Sequence, residues 1–425
     1  MTTAKLFTTR HPFTVDKDIS SQTFWSKTFK ERDETFAWLR KNAPVSWHPP
    51  YEDPTMPPEI HGEAGYWAVT LADDIRAASQ DYALYSSTGG SISYAPRHPD
   101  LVQSPTFIAM DPPEHTSYRQ AISAAFTPKS VGRISEKIRQ RAADIIGSVI
   151  GVGEFDFVAE VSAKLPMLTI ADMVGVPDSL TEDFALAGDR LVGARDPELV
   201  PPGENPIEYS GKQMMILREI GVDIVNHRRT HPADDIATGL ASYEMDGKLL
   251  TDDDIAAMMV LLSIAGNDTT KQTTSHTLLS LDRNPDQRAW LLEDFDGRIV
   301  GAIEEFIRHA SPVMEFGRRA MHDTEMGGQQ IAKDDKVVLF YCSGNRDESV
   351  FEDPHRFDLT RPRLPHVGFG GGGVHFCLGN SVAKAQLRAL YREILTRLPN
   401  IEVGEPELLH NEFINGVRRL PVRVS

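Results

Sequence analysis

The segment GFGGGGVHFCLG, residues 368–379, constrains the fold of this chain more than any other feature of its sequence. Four consecutive glycines precede His375 and Cys377, which is one of only two cysteines in 425 residues. Glycine loses much backbone entropy on folding, so such a run persists where the backbone is strained or closely approached. An amphipathic helix is predicted to begin directly behind the cysteine. We therefore expect Cys377 to face a large group that lies against this loop.

Three chemistries are open to Cys377. A zinc site needs further ligands, and no second cysteine lies at a C-x-x-C spacing. A nucleophilic pair with His375 leaves the glycines without a role. A thiolate that binds iron in a flat macrocycle uses the whole segment, because a helix N-terminus stabilises the negative sulfur.

A long helix is predicted over residues 251–284. It begins with the capping-box pair Thr251 and Asp254, and it ends before Pro285. Its middle, AGNDTTKQTT (residues 265–274), is polar where a buried helix should be apolar. Buried polar groups are costly unless they are paired. The hydroxyls either bond back to the helix itself or serve a function.

The remaining pattern predicts a mainly α protein with small β-sheets. Short β-like runs occur near both ends, and most of the chain between them has helical periodicity. Residues 130–151, for example, form an apolar stripe of Ile134, Ile138, Ala142, Ile145 and Val149. No Gly-, Pro- or Ser-rich linker divides the chain, so we expect one domain over residues 1–425.

Composition excludes several classes of function. The net charge is −17, and no long basic run occurs, which argues against nucleic acid or an anionic membrane surface as a partner. The most apolar segment, residues 255–266, is too short to span a bilayer. The first twenty residues lack the apolar core of a signal peptide. We expect a cytoplasmic protein without membrane insertion, and a monomer.

The cysteine segment resembles the haem-binding loop of the cytochrome P450 monooxygenases, F-G-x-G-x-[HR]-x-C-x-G. Further stretches resemble other motifs of that family, in the same order along the chain. They are DPPEHTSYRQAISAAFTP (111–128), AGNDTT (265–270), Glu305-x-x-Arg308, GRRAMHDTEMGG (317–328) and DPHRF (353–357). The resemblance implies the helix-rich P450 fold and haem b as cofactor.

The resemblance also implies a role for individual residues. Cys377 would ligate the iron, and Glu305, Arg308 and Arg356 would form a buried charge network behind the loop. Further haem contacts would come from His115, Arg119, Ala265, Gly266, Arg318, Phe369, His375 and Gly379.

In one respect the loop departs from the usual motif. Gly370 stands seven residues before the cysteine, and Phe369 stands eight before it. This longer loop is similar to that of actinobacterial hydroxylases of methyl-branched lipids and sterol side chains. We expect Phe369 still to shield the sulfur.

The implied reaction is hydroxylation of a hydrophobic small molecule, such as a branched lipid, terpenoid or steroid, with O2 and two electrons. Asp268 would relay protons, Thr269 would hold the bound oxygen by its hydroxyl, and Gly266 would let the helix open slightly. Lys271 would point toward solvent. Pocket candidates, each of which core packing explains nearly as well, are Leu261, Ile264, Val313, Met314, Phe413 and Ile414, and residues 87–110 resemble a mobile substrate loop.

Electrons must come from another protein, since no flavin or iron–sulfur segment is present; the family's usual donors are a ferredoxin and its reductase. Arg133, Lys137 and Arg141 either form a docking patch for the ferredoxin or are a solvated charged face. Two other functions stay open. One is a haem-thiolate enzyme that uses peroxide or isomerises its substrate, and the other is a non-enzymatic haem protein that binds a gas. The pair Asp268 and Thr269 favours the monooxygenase.

Overall fold

The computed structural model describes residues 11–12, 15–52, 65–88, 106–193, 199–362 and 365–424. These residues form a mainly helical structure with small sheets, as predicted. Its α-helices are α1 (Gln22–Trp25), α2 (Phe29–Asn42), α3 (Ala72–Gln80), α4 (Glu114–Ser123), α5 (Pro128–Val149), α6 (Lys164–Val174), α7 (Thr181–Gly193), α8 (Pro206–Arg228), α9 (Ile236–Ser242), α10 (Asp252–Arg283), α11 (Pro285–Glu293), α12 (Phe295–Ala310), α13 (Tyr341–Gly344) and α14 (Asn380–Arg397). Shorter turns are 3-10 helices at Phe107–Ala109, Ala124–Phe126 and Asp178–Leu180, and a π-helix at Val158–Ser162.

The strands form one five-stranded sheet and several smaller ones. In chain order they are β1 (Val45–His48), β2 (Tyr66–Val69), β3 (Tyr85–Ser86), β4 (Glu154–Asp156), β5 (Glu244–Met245), β6 (Lys248–Leu249), β7 (Phe316–Ala320), β8 (Thr324–Met326), β9 (Gln329–Ile331), β10 (Lys336–Leu339), β11 (Glu402–Val403), β12 (Glu407–Leu408), β13 (Val417–Arg419) and β14 (Pro421–Arg423). The large sheet has the order β1-β2-β10-β7-β3, and only its β2–β10 pair is parallel. A three-stranded sheet has the order β11-β14-β4, and the others are hairpin pairs.

Helix α10 runs unbroken through the middle of the helical part and is 32 residues long. The predicted capping box is present, since the Thr251 hydroxyl accepts from the Asp254 N–H and the Asp254 carboxylate accepts from the Thr251 N–H. The first half of α10 packs into a core with α6, α7, α8 and α9. Its last turns pack into a second core with α5, α12 and α14. The helix therefore joins the two largest apolar cores.

The five-stranded sheet separates two smaller cores, one on each face. Cys342 is 2% exposed in the core between the sheet and α2. Burial raises the pKa of its thiol to about 12, so it stays protonated. Cys342 is therefore a buried structural cysteine.

The glycine run before Cys377 is explained by backbone angles and by helix α3. Gly370, Gly372 and Gly373 have φ values of 93°, 97° and 72°, which residues with a Cβ rarely adopt. A Cβ on Gly373 would lie 2.5 Å from the Ser79 carbonyl oxygen at the end of α3. The group that approaches these glycines is therefore a helix of the protein itself. At Gly379, by contrast, a Cβ would meet no protein atom within 4 Å.

Candidate active site

Cys377 lies where the glycine turn meets the N-terminus of α14. Its own N–H donates to the Phe369 carbonyl oxygen at 3.0 Å, which closes the loop across the extra residue. Burial raises the pKa of the Cys377 thiol, while the N–H groups of Gly379 and Asn380 bond to the sulfur and oppose that rise. The charge of Arg119 acts in the same direction as these N–H groups. The helix start thus opposes the effect of burial without overcoming it, and the iron-binding thiolate stays a prediction.

Phe369 stays close to the cysteine despite the longer loop. Its ring is partly buried against the core of α5, α12 and α14. The rings of His366 and Phe376 lie 5.9 and 6.3 Å from it, and the Lys384 Nζ lies 5.1 Å from its centroid. The ring is therefore held from several sides.

Four basic side chains from three parts of the chain converge near the cysteine loop. The rings of His115 on α4 and His375 are 4.4 Å apart. Burial, aided by the charge of Arg119, lowers the pKa of His115 to about 4. Burial, aided by Arg318 and Arg119, lowers the pKa of His375 to about 2. Both imidazoles are therefore neutral at pH 7, beside two guanidinium groups.

Three imidazole nitrogens of this cluster are buried without a hydrogen-bond partner: Nδ1 and Nε2 of His115, and Nε2 of His375. Orphaned buried polar atoms are rare and costly, so each calls for an explanation. Arg119 donates to the Phe376 carbonyl oxygen at 2.6 Å and thereby ties α4 to the cysteine loop. A ligand with carboxylates, such as haem, fits a set of donors of this kind.

One face of α10 is accessible although the surrounding turns are buried. Ala265 is exposed, and Leu261 and Thr269, four residues before and after it, are partly exposed. Ile264 and Gly266 border this stripe and are also partly exposed. Positions four residues apart lie on one side of a helix, so one continuous face of α10 is accessible to solvent.

The polar segment of α10 is satisfied largely by its own backbone. The hydroxyls of Thr269 and Thr273 donate to carbonyls one turn earlier at 3.0 and 2.8 Å, and Thr274 does the same at 2.9 Å. A Cβ on Gly266 would lie 2.9 Å from Ile170 on α6, so this glycine admits a neighbouring helix. Helix α10 is continuous through Gly266, and the slight opening expected there stays a prediction.

Asp268 takes part in a buried charge cluster that the sequence did not predict. The Lys271 Nζ lies 2.6 Å from Asp268 Oδ1 and 3.0 Å from Asp189 Oδ1 on α7. The prediction that Lys271 points toward solvent is therefore wrong; two carboxylates hold it inward. Burial raises the pKa of Asp268 to about 6, with Lys271 opposing and Asp189 adding to the rise. The second oxygen, Oδ2, is buried without a hydrogen-bond partner.

The predicted charge network behind the loop needs one correction. Arg308 forms two bonds to Glu305, at 2.6 and 2.7 Å, and both side chains are buried. Arg356 contributes only its carbonyl oxygen, 3.2 Å from Arg308, while its side chain is exposed. The second guanidinium near Glu305 belongs to Arg361, at 3.4 Å. The chain turns between Pro354 and Asp358, which carries the Arg356 side chain outward.

Three of the predicted pocket residues lie together, and one lies elsewhere. Val313 pairs with Ile414 in an isolated β-bridge, and both pack with Phe413. Met314 is 1% exposed in the core beside α2, where its sulfur accepts from Arg32 at 3.1 Å. Successive residues of an extended segment point to opposite sides, so Met314 is wrong as a pocket residue. Of the predicted loop over residues 87–110, positions 89–105 lie outside the described residues.

The basic face of α5 is largely neutralised. Lys137 and Arg141 both pair with Asp172, at 2.8 and 2.7 Å. Arg133 pairs with Asp234 at 3.3 Å. Of the two interpretations of this face, the geometry favours a solvated surface with internal ion pairs. Among the described residues, no helix is long and apolar enough to cross a membrane.

Comparisons with known proteins agree with this geometry. The family model described as cytochrome P450 matches residues 212–407. A solved Mycobacterium marinum cytochrome P450 in complex with pseudoionone is 44% identical, covers 97% of this chain and 99% of its own, and superposes with a TM-score of 0.92. The methyl-branched lipid omega-hydroxylase of Mycobacterium tuberculosis is 37% identical over 96% of this chain and 95% of that protein.

The steroid C26-monooxygenase of Mycolicibacterium smegmatis is 35% identical over 92% of this chain and 90% of that protein. These similarities confirm the predicted fold class and the resemblance drawn from the motifs. The chain belongs to the cytochrome P450 family of haem-thiolate monooxygenases.

Proposed function

We propose that this P450 hydroxylates the terminal methyl group of a methyl-branched hydrophobic chain, with O2 and two electrons. The observation that carries the proposal is the convergence of the Cys377 loop with the imidazoles of His115 and His375, three of whose buried nitrogens lack a hydrogen-bond partner. The accessible face of α10, with Ala265 at its centre, supplies the opposite wall. The whole chain, residues 1–425, would serve as one haem domain.

The residues fit haem b. Cys377 would ligate the iron, and the open space beside Gly379 leaves room for the macrocycle. His115, Arg119, Arg318 and His375 would hold the two propionates, which would accept from the guanidinium groups and from the single N–H of each neutral imidazole. When bound, haem supplies oxygen activation at a thiolate-ligated iron.

Asp268 and Thr269 would serve proton transfer on the α10 side of the haem. A carboxyl whose pKa is raised to about 6 exchanges its proton near neutral pH. The Thr269 hydroxyl lies on the accessible stripe, and its bond to the Ala265 carbonyl keeps its oxygen free to accept. Thr269 would orient the bound oxygen, and Asp268 would pass protons inward from Asp189, which is 29% exposed.

The substrate class rests on the relatives and on the apolar wall. One relative is named for the omega position of methyl-branched lipids and another for C26 of steroids, and both positions are terminal methyl groups of branched chains. Val313, Phe413 and Ile414 would form the wall that guides such a chain, with Leu261 and Ile264 on the facing helix. A shaped apolar wall of this kind selects by fit, without a special catalytic side chain.

The first experiment is a spectral titration of the ferric holoprotein. Ligands are a methyl-branched fatty acid, a steroid ketone, an acyclic terpenoid ketone and, as a control, a macrolide. We expect the first three ligands to bind tightly and to shift the iron to high spin, and the macrolide to cause no shift. Val313→Phe should weaken ligand binding in this titration at least about tenfold, because the larger side chain takes up space beside the apolar wall. Met314→Leu should not weaken it, since Met314 lies in another core. Equal binding of all four ligands would contradict the substrate class.

Thr269→Ala tests the reaction class. We expect oxygen consumption to continue while product per O2 falls, because the hydroxyl that orients bound oxygen is lost. Thr273→Ala, one turn along α10, removes an equivalent back-bond and should keep the wild-type ratio. A haem protein that uses peroxide or only binds a gas would show no such uncoupling.

The electron donors would be a ferredoxin and its reductase. Replacing Arg133, Lys137 and Arg141 together with glutamate should leave ferredoxin-supported turnover unchanged if their ion pairs already neutralise this face. Loss of turnover would restore the docking patch. A cytoplasmic location and a monomeric state stay predictions.

A further inference from the structure

A second charge cluster lies beside the cysteine loop, separate from the Glu305 network. Glu304 on α12 accepts from the Lys384 Nζ on α14 at 2.7 Å, and its other oxygen lies 3.0 Å from His366 Nε2. The opposite ring nitrogen of His366 accepts the Gly368 N–H at 3.1 Å. One carboxylate thus joins two helices to the first residues of the loop.

The cluster reaches Cys377 through Phe369. Lys384 lies 5.1 Å from the centre of the Phe369 ring, and the Phe369 carbonyl oxygen accepts the Cys377 N–H at 3.0 Å. A cation and its carboxylate are therefore linked to the cysteine through the Phe369 ring and backbone.

The carboxylate is a permanent charge. Burial acts to raise the pKa of Glu304, but the bonds from His366 and Lys384 dominate and lower it to about 2. The side chains of Glu304, Lys384 and His366 are 17%, 30% and 7% exposed, so water screens their charges only in part. Charges held near an axial thiolate alter the electron density that reaches the iron.

We propose that Glu304, His366 and Lys384 are positioning residues that hold Phe369 against Cys377, and that the Lys384–Glu304 pair sets the reduction potential of the bound iron. This inference rests on the proposed function, since it requires Cys377 to be the iron ligand. Lys384 favours the reduced state by its positive charge, and Glu304 offsets it. The pair thereby keeps the potential between the values that either charge alone would give.

A purely structural ion pair would behave differently. Breaking it from either side would loosen the same loop, so both single variants would shift the potential in the same direction. An electrostatic role gives opposite signs, because one variant leaves an unbalanced anion and the other an unbalanced cation. The signs of the two shifts therefore separate the two roles.

The test is spectroelectrochemical titration of substrate-free holoprotein. We expect Lys384→Met to lower the reduction potential, Glu304→Gln to raise it, and the double variant to return close to wild type. Lys384→Arg keeps the charge and should keep the potential. Arg388→Met, one turn further along α14, breaks a surface pair with Asp296 and should leave the potential unchanged.

Two outcomes would overturn the inference: shifts of the same sign in both single variants, or no shift in either. The carbon monoxide difference spectrum of the wild type is recorded first. A spectrum without a thiolate-type band would overturn the proposed function together with this inference. A thiolate-type band with unmoved potentials would overturn the inference alone.

Discussion

Two lysines, the buried Lys271 and the partly exposed Lys384, lie on opposite sides of the proposed haem site, and the carboxylates around them differ in number. Near the cysteine, one carboxylate, Glu304, is shared by two basic side chains, Lys384 and His366. On α10, one lysine, Lys271, is shared by two carboxylates, Asp268 and Asp189. The first arrangement lowers the pKa of Glu304 to about 2, and the second leaves the pKa of Asp268 raised to about 6.

Burial and the charged partners together decide what each carboxylate can do. Glu304 is bonded by a lysine and an imidazole and has no competing carboxylate, so it stays ionised and acts as a fixed charge. Burial raises the pKa of Asp268, and a second carboxylate competes with it for one lysine, so it can carry a proton near neutral pH. The same residue types therefore give a permanent field on one side and a proton relay on the other.

The largest expected effect follows from loss of the proton relay through Asp268. Asp268→Asn removes the exchangeable proton and should lower product formation by about 10²-fold, while substrate binding stays unchanged. Product formation at saturating substrate is the measurement. Asp296→Asn is the control, because that carboxylate also takes part in ion pairs, with Arg388 and Arg392, but lies at the surface. Equal losses in both variants would contradict a specific role for Asp268.

The next largest effect concerns the glycine turn before Cys377 and how tightly it packs against α3. Gly373→Ala forces a Cβ to within 2.5 Å of the Ser79 carbonyl oxygen at φ 72°. We expect a loss of about 1–3 kcal/mol in the free energy of unfolding. Gly132→Ala, on α5 with no atom within 4 Å, should instead stabilise by about 0.5–1 kcal/mol. Chemical denaturation of both variants measures these changes. A Gly373→Ala variant as stable as the wild type would contradict the prediction and show that the loop adjusts to the added Cβ.

Two further variants should shift the pKa of Asp268 without removing its carboxyl group. Asp189→Asn removes the competing carboxylate, so the pKa of Asp268 should fall by about one unit. Lys271→Met removes the stabilising cation, so that pKa should rise. The measurement is the amount of product formed per O2 as a function of pH. If Asp268 donates its proton, the basic limb of this profile should move to lower pH in Asp189→Asn and to higher pH in Lys271→Met. Movement in one common direction would contradict the shared-lysine arrangement.

The smallest effect concerns acid stability. The pKa of Glu304 in the folded protein lies below its ordinary value of 4.5. Its contribution is therefore complete above pH 4.5 and is lost as pH falls toward 2. Glu304→Gln should destabilise the protein by about 1 kcal/mol at pH 7, allowing for solvent screening. Urea unfolding should show this gap closing between pH 4.5 and pH 3, and a constant gap would mean that Glu304 titrates normally.

Much of the site could be predicted from the sequence, because its signals are local. The Cys377 loop, the Thr251 capping box and the extent of α10 depend on residues close together in the chain. Asp189 could not be linked to Lys271, since the pair lies on different helices and no spacing connects them.

The remaining errors have similar causes. Arg361, rather than Arg356, reaches Glu305, because the path of an irregular loop determines which side chain turns inward. Met314 was misassigned because the parity of an extended segment depends on its register, here fixed by the Val313–Ile414 bridge. Local patterns identify elements and caps, whereas partners from distant elements require the fold.

The most direct test of the comparison is infrared spectroscopy of the ferric holoprotein between pH 4 and pH 8. A protonated carboxyl has a C=O band that Asp268→Asn should abolish and that should titrate with a midpoint of about 6. No band in this range should depend on Glu304. An Asp268 already ionised at pH 4, or a Glu304 band that titrates in this range, would contradict the division into a proton relay and a fixed charge.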